Sequence, residues 1–151
     1  MSVGIGYDSH RFAEGRRLVL GGVEVEHDRG LAGHSDADVL THAVIDALLG
    51  AAGMGDIGTL FPDDEARWKD ADSIDLLRTV VGTVPGRIVN IDATVVCEKP
   101  RLASQRAEME RIIAEATSAR VSVKATTNEG MGWIGRGEGI ACIAVASVES
   151  E

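Results

Sequence analysis

Apolar residues alternate along Val3, Ile5 and Tyr7, the period of an extended strand, so these three share one face. Asp8 and His10 then share the opposite face, behind Gly4 and Gly6, which leave it open. "LVLGGVEVE" (18–26) sets two short apolar runs around Gly21-Gly22 and predicts a β-hairpin. The period lengthens in "HSDADVLTHAVIDALLGAAG" (34–53), where Val39, Leu40, Ala43, Val44, Ala47 and Leu48 make one apolar stripe at helical spacing. That predicts a helix over Asp36–Gly50, with Ser35 or Asp36 as start signal and Gly50 and Gly53 as stop signals. The glycine-punctuated "GMGDIGTLFPDDEARWKDAD" (53–72) reads as a long polar loop anchored only by Phe61 and Trp68. Loops of that length are usually functional or mobile. Ser73 is the candidate N-cap of a second helix running through "IDLLRTVVG".

In the C-terminal half, "IVNIDATVVCE" (88–98) places Val89, Ile91, Ala93, Val95 and Cys97 on one strand face and Asn90, Asp92 and Thr94 on the other. "LASQRAEMERIIAEATSA" (102–119) carries Leu102, Met109, Ile112, Ile113 and Ala116 at helical spacing. "RVSVKATTNEG" (120–130) is a further strand with Val121, Val123 and Ala125 facing in. "GIACIAVASV" (139–148) is almost wholly apolar and reads as a strand covered on both faces. The order of elements predicts an α+β fold, a mixed β-sheet with helices packed on one face in two layers. The other face also carries apolar positions, which a small domain must bury, and self-association is the simplest way.

Composition narrows the picture. The chain has 151 residues and shows no composition break or internal repeat, so residues 1–151 read as one domain. Aromatics are scarce at 3%, which leaves packing to aliphatic residues and alanine. A net charge of −9 argues against a nucleic acid or an anionic membrane as partner through a general basic surface. An anionic substrate must then be met locally, by metals, backbone N–H groups or single basic residues. Cys97 and Cys142 lie in apolar strand runs and make no disulfide framework. "MSVGIGYDSH" lacks the features of a secretory leader, and no apolar run is long enough to span a bilayer. A cytoplasmic protein is expected.

The chemistry-bearing residues fall into two groups. Asp8 and His10 offer a carboxylate and an imidazole side by side, either a hydrogen-bonded pair at a strand end or two of the three protein ligands of an open zinc site. On the helix, Asp38, His42 and Asp46 are four apart and line one edge away from the apolar stripe. His42 can reach the strand end as third ligand or stand as a solvated surface residue; His34, just before the helix, competes for the ligand role or serves as a loop or capping histidine. His27, among Glu24, Glu26 and Asp28, reads as a surface residue. The second group follows the strand at 120–126. Thr126, Thr127, Asn128 and Glu129 lead into glycines at 130, 132, 135, 137 and 139. Hydroxyls, free N–H groups and one carboxylate there suit phosphate oxygens with a bridging Mg²⁺, and equally a plain glycine turn. "GRGEG" is open between ligand contact and an Arg136–Glu138 salt bridge.

"GYDSHRF", "LAGHSDADVLTHAVIDALLGAAGMGDIGTLFPD", "NIDATVVCEKPRL" and "KATTNEGMGWIGRGEGIACIAVA" together resemble the 2-C-methyl-D-erythritol 2,4-cyclodiphosphate synthase family, in order and over nearly the whole chain. The resemblance implies a lyase of the non-mevalonate isoprenoid pathway. Such enzymes convert 4-diphosphocytidyl-2-C-methyl-D-erythritol 2-phosphate into the cyclic diphosphate and release CMP. It further implies Zn²⁺ on Asp8, His10 and His42, with His34, catalytically, and Ser35 at the phosphate that fills the open position, helping to stabilise the transition state. Asp56, Ile57 and Gly58 would hold the substrate's hydroxyls and carbon backbone, with Phe61, Pro62, Asp63, Asp64 and Glu65 closing over it. Thr126 and Thr127 would bind the diphosphate, Thr127 catalytically, and Glu129 would hold Mg²⁺ or Mn²⁺. Cys97, Pro100, Arg101, Leu102 and Ala103 would form the cytidine pocket, with Asn128, Trp133 and Arg136 also contacting substrate. Asn128, Trp133 and Arg101 stand where related sequences carry Thr, Phe and Lys. The family resemblance also implies a homotrimer, its sheets around the three-fold axis and its active sites at subunit interfaces. Two other readings of the residues stay open. One is a nucleotide-binding module, the other a zinc hydrolase with His34 or Asp46 as base.

Overall fold

A computed structural model describes residues 1–150. The chain begins with β1 (Ser2–Ala13), β2 (Leu18–Leu20), β3 (Val23–Val25) and β4 (Gly30–Leu31). Then come α1 (Val39–Ala52), α2 (Ile57–Leu60), a 3₁₀ turn at Ala66–Trp68 and α3 (Ser73–Thr83). β5 (Arg87–Val96), α4 (Arg106–Thr117), β6 (Arg120–Thr126), α5 (Gly132–Gly135) and β7 (Gly139–Glu149) complete it. The main sheet has the order β4-β1-β7-β5-β6, parallel only between β5 and β6, while β2 and β3 form the expected hairpin. Helix α1 lies on β1 and β7, α4 lies on β6, and α3 packs against both helices. The architecture is therefore the mixed, two-layer α+β fold that the order of elements predicts. Among the described residues no helix is long and apolar enough to cross a membrane.

The glycine face of β1 is not open but filled by helix backbone. A Cβ at Gly4 would lie 2.0 Å from the Ala47 carbonyl oxygen, and one at Gly6 would lie 1.9 Å from that of Ala43. The helix contributes its own small residues to the seam, Ala43, Ala47 and Ala51, at a spacing of four. The rest of α1 is buried as well, including Thr41, Ile45 and Leu49, so it is covered on nearly every side and not along one stripe. The hairpin and α3 supply that outer cover.

Asp38 does not lie along a polar edge with His42 and Asp46. It is fully buried as the N-cap of α1, accepting from Thr41 N at 3.0 Å and Thr41 Oγ1 at 2.8 Å. Its two oxygens also accept from Gly21 N and Gly22 N, each at 2.8 Å. Those glycines have φ of 58° and 77°, the pair of left-handed conformations that a two-residue hairpin turn requires. Burial, then the charge of Asp36, pushes the Asp38 carboxyl above its ordinary value, and the hydrogen bonds from the Thr41, Gly22 and Gly21 backbone pull the other way. The helix ends past the expected Gly50, at Gly53 (φ 68°), whose N–H reaches Gly50 O at 3.1 Å. For α3 the N-cap is Asp72, one residue before Ser73.

Three further expectations are corrected. A bulge between Ile88 and Asn90 moves Ile88, not Val89, onto the buried face of β5. Ala125 on β6 is exposed and lines a cavity. His27 is half-buried, its ring centroid 5.4 Å from that of Phe12.

β7 is not covered on both faces: Ile143 and Val145 are exposed, opposite Tyr7 and Ile5 of β1, which are exposed too. With Val3 they make an apolar stripe along two strands. The same face turns polar across β5 and β6, where Asp92 pairs with Lys124. At one edge β4 has only two residues, and at the other Val123 N donates to Glu110 Oε2 of α4 at 2.8 Å.

Gly6→Ala should destabilise the protein by at least the upper end of ordinary overpacking, about 3 kcal/mol, because the clash is with backbone that cannot rotate away. Differential scanning calorimetry should show Tm falling by about 6–12 °C for a chain of this size; an unchanged Tm would contradict the backbone contact.

Candidate active site

Beyond Gly6 the inward face of β1 continues through Asp8 to His10, and α1 brings His42 against them. Asp8 Oδ2 stands 2.9 Å from His10 Nε2 and 3.2 Å from His42 Nδ1, and the three ligand atoms all lie within 4.8 Å of one another. This is the one such group of three or more metal-ligating side chains among the described residues. Each imidazole is held by its other nitrogen. His10 Nδ1 lies 2.8 Å from the Ala32 carbonyl, and His42 Nε2 lies 2.8 Å from Ser73 Oγ and 3.2 Å from Ser35 Oγ. Burial would raise the Asp8 carboxyl, but the close polar contacts and charge of His10 and His42 outweigh it and hold it below its ordinary value. His10 Nε2 is buried and, despite its closeness to Asp8, has no hydrogen bond of acceptable geometry. A nitrogen lone pair left this way suits a cation better than a proton donor.

A cavity of about 550 Å³ opens over this group, walled by Gly33, His34, Ser35, Ile57, Gly58 and the segment from Phe61 to Asp64. The wall 53–72 is not bare loop, since α2 and the 3₁₀ turn lie within it. Asp46 Oδ1 accepts from Ile57 N at 2.8 Å and so ties α2 to α1. Phe61 and Trp68 pack edge to face, centroids 4.8 Å apart. His34 lines the cavity but is not among the three convergent ligands; its Nε2 lies 2.9 Å from the Glu65 carbonyl. Asp56 caps α2 through Thr59 N and Oγ1, at 2.9 and 2.8 Å, at the cavity's margin. The Glu65 carboxylate turns aside to Arg67 at 2.7 Å.

Cys97, Pro100, Arg101, Leu102, Ala103, Thr126 and Thr127 line a separate cavity of about 290 Å³ that shares no residue with the first. β6 is three strands from β1, roughly 14 Å across the sheet. Burial pushes the Cys97 thiol up to about 12, so it is a neutral wall group and not a nucleophile. Glu129 adopts φ 55°, a left-handed conformation uncommon outside glycine. Glu98 holds that turn: its Oε1 accepts from Asn128 N at 2.6 Å and Gly130 N at 3.4 Å. Asn128 Nδ2 donates to Met131 O at 2.8 Å. Trp133 and Arg136 lie in a third cavity with Arg11 and Arg29, and Arg136 pairs with Glu138 at 2.6 Å.

Sequence reasoning missed Asp36, Ser73, Leu76, Glu98 and the cavity-lining role of Trp68. Ser73 and Glu98 carry no spacing signal, since their partners lie 31 and 30 residues away. Leu76 belongs to a helical apolar stripe that reads as core.

A family model described as the YgbB family matches residues 1–149. The chain is 57% identical to the 2-C-methyl-D-erythritol 2,4-cyclodiphosphate synthase of Salinibacter ruber, with 99% of each chain covered. A solved synthase of the same name in its CDP-bound form is similar with a TM-score of 0.87 at 31% identity, over 97% of this chain and 99% of that one. The Plasmodium falciparum IspF–CDP complex has a TM-score of 0.82 at 31% identity, over 99% and 97% of the two chains.

Glu98→Ala should free the turn around Glu129. Amide hydrogen exchange is expected to quicken at Asn128 and Gly130 while α1 and β7 keep their protection, and unchanged exchange there would remove Glu98 from this role.

Proposed function

The chain belongs to the YgbB family, and from that premise we infer its activity. It converts 4-diphosphocytidyl-2-C-methyl-D-erythritol 2-phosphate to 2-C-methyl-D-erythritol 2,4-cyclodiphosphate with release of CMP, a phosphorus–oxygen lyase reaction of the non-mevalonate isoprenoid pathway. The observation that carries this reading is the convergence of Asp8, His10 and His42 at the floor of a cavity. One carboxylate and two imidazoles match a catalytic Zn²⁺ site with one position open, and the unpartnered His10 Nε2 fits such a ligand.

In the reaction an oxygen of the 2-phosphate attacks the β-phosphorus. A new P–O bond closes the ring, and the bond from the β-phosphorus to the oxygen bridging the α-phosphate breaks, its electron pair leaving on CMP. No base is required, because the nucleophile is already an anion. The work is to fold a flexible, highly charged molecule so that its two phosphates meet in line. When bound, Zn²⁺ on Asp8, His10 and His42 and Mg²⁺ or Mn²⁺ on Glu129 supply the positive charge that an acidic protein lacks. His34 and Ser35 face the phosphate end of the cavity, and Asp56, Ile57 and Gly58 hold the erythritol. Phe61, Pro62, Asp63, Asp64 and Glu65 shield it from water. Thr126 and Thr127 orient the diphosphate, and Cys97, Pro100, Arg101, Leu102 and Ala103 seat the cytidine. Asn128, Trp133 and Arg136 complete the contacts from the segment after β6.

We read residues 1–151 as one domain of a cytoplasmic homotrimer. The separation of the two cavities within one chain supports a site made from the metal side of one subunit and the cytidine side of its neighbour. The exposed stripe of Val3, Ile5, Tyr7, Ile143 and Val145 supports packing of three such sheets about an axis.

His42→Ala should abolish stoichiometric zinc and CMP release while the trimer survives; full zinc content in that variant would transfer the ligand role to another group. Sedimentation equilibrium should give a trimer, and a stable monomer at micromolar concentration would remove the shared site.

Glu129→Gln should lose its metal-dependent activity without losing zinc. Under conditions that exchange subunits, mixing it with His42→Ala should restore CMP release at sites with both halves intact. No recovery in verified mixed trimers would mean that each site lies within one chain.

A further inference from the structure

We propose that Asp36 and Ser73 are positioning residues for the metal centre, orienting His42 through a directed chain of hydrogen bonds that decides which nitrogen it offers to the cation. The proposal rests on reading Asp8, His10 and His42 as a metal site. Ser73 is the first residue of α3 and is fully buried. Its backbone N–H donates to Asp36 Oδ2 at 3.0 Å, and its hydroxyl donates to Asp36 Oδ1. A carboxylate accepts and does not donate, so the direction of the second bond is set. With its one proton committed to Asp36, Ser73 Oγ has only lone pairs for His42 Nε2, 2.8 Å away. That nitrogen must therefore carry the ring proton and donate it. Nδ1, 3.2 Å from Asp8 Oδ2 and facing the other two ligands, keeps its lone pair.

His10 reaches the complementary arrangement by a different device. The Ala32 carbonyl, 2.8 Å from its Nδ1, can only accept, and this leaves Nε2 as the ligand atom. One imidazole is thus polarised by a backbone group that has no alternative. The other depends on a hydroxyl, which could donate or accept, and whose direction Asp36 decides. Asp36 is itself held in place, its N–H donating to Ala71 O at 3.1 Å and its Oδ1 accepting from Asp38 N at 3.2 Å. Ser35 Oγ, 3.2 Å from the same His42 nitrogen and accepting from Ala37 N, is a longer second contact.

The test is zinc affinity by chelator competition on the zinc-loaded protein, with wild type, Ser73→Ala, Asp36→Asn and Ser73→Thr side by side. Loss of a partner to the outer nitrogen of a metal-bound histidine weakens binding by about 10–100-fold, and Ser73→Ala should fall in that range. Asp36→Asn should lose at least as much, because its amide N–H₂ can donate to Ser73 Oγ and turn the hydroxyl proton toward His42. Ser73→Thr keeps the oxygen and should restore near wild-type affinity. In the zinc-loaded wild type the His42 Nε2–H should appear as a slowly exchanging ring proton in ¹⁵N-edited NMR spectra, and it should be lost in Ser73→Ala. Tm of the metal-free variants separates these effects from α3 stability. Wild-type affinity in both Ser73→Ala and Asp36→Asn would overturn the proposal. So would losses that follow the metal-free Tm and spare the ring proton. Wild type without stoichiometric zinc would instead overturn the metal reading beneath it.

Discussion

The seam between α1 and β1 is a contact of two backbones. At Gly4 and Gly6 helix α1 touches strand β1 with no side chain between them, and the carbonyls of Ala43 and Ala47 occupy the space where two Cβ atoms would stand. The candidate metal site of Asp8, His10 and His42 inherits its position from this seam. Asp8 lies one strand repeat beyond Gly6, and His42 lies one residue before Ala43. The distance between sheet and helix is therefore also the distance between the ligands. A helix resting on larger side chains would lift His42 away from Asp8 without altering any ligand.

Around the seam the polar groups divide into those that hold and those that face the cavity. Asp38 joins the hairpin turn to the first turn of α1, Asp46 joins α1 to α2, and Asp36 joins the loop before α1 to α3. Each acidic residue takes up backbone N–H groups that would otherwise be orphaned at a turn or helix start. Much of the chain's acidity near the site is thus spent inside the protein, where it braces the cavity and does not repel a phosphate. Glu98 does the same for the turn that carries Glu129.

Periodicity made the fold legible, because strand and helix spacings are dictated locally and the aliphatic runs here are clean. The candidate ligands Asp8, His10 and His42 were legible only in part: the two-residue step of β1 puts the first two on one face, and the helical period turns His42 away from the apolar stripe. Where the reading failed, a long-range partner decided the outcome. Asp38 looks like one member of a polar edge until a hairpin from 17 residues away presents two N–H groups to it. Ser73 looks like a cap because serine commonly is one; its hydroxyl donates to Asp36 and its oxygen faces a histidine 31 residues back. Val89 follows the alternation of β5, but a bulge at that point passes its place to Ile88. The glycines of β1 read as open space, since a sequence cannot say what a missing Cβ makes room for.

The sheet's margins are closed to growth in a way its face is not. An unpaired edge strand offers a ladder of N–H and C=O groups to any passing strand, the usual route to open-ended polymers. Here β4 is two residues long, and the β6 edge carries exposed Arg120 and Lys124 while Glu110 already occupies the N–H of Val123. A second chain therefore finds no continuous template for strand addition. What the face offers instead is the exposed side chains of the β1–β7 stripe, a surface matched by shape and charge and not a ladder that runs on as a fibre.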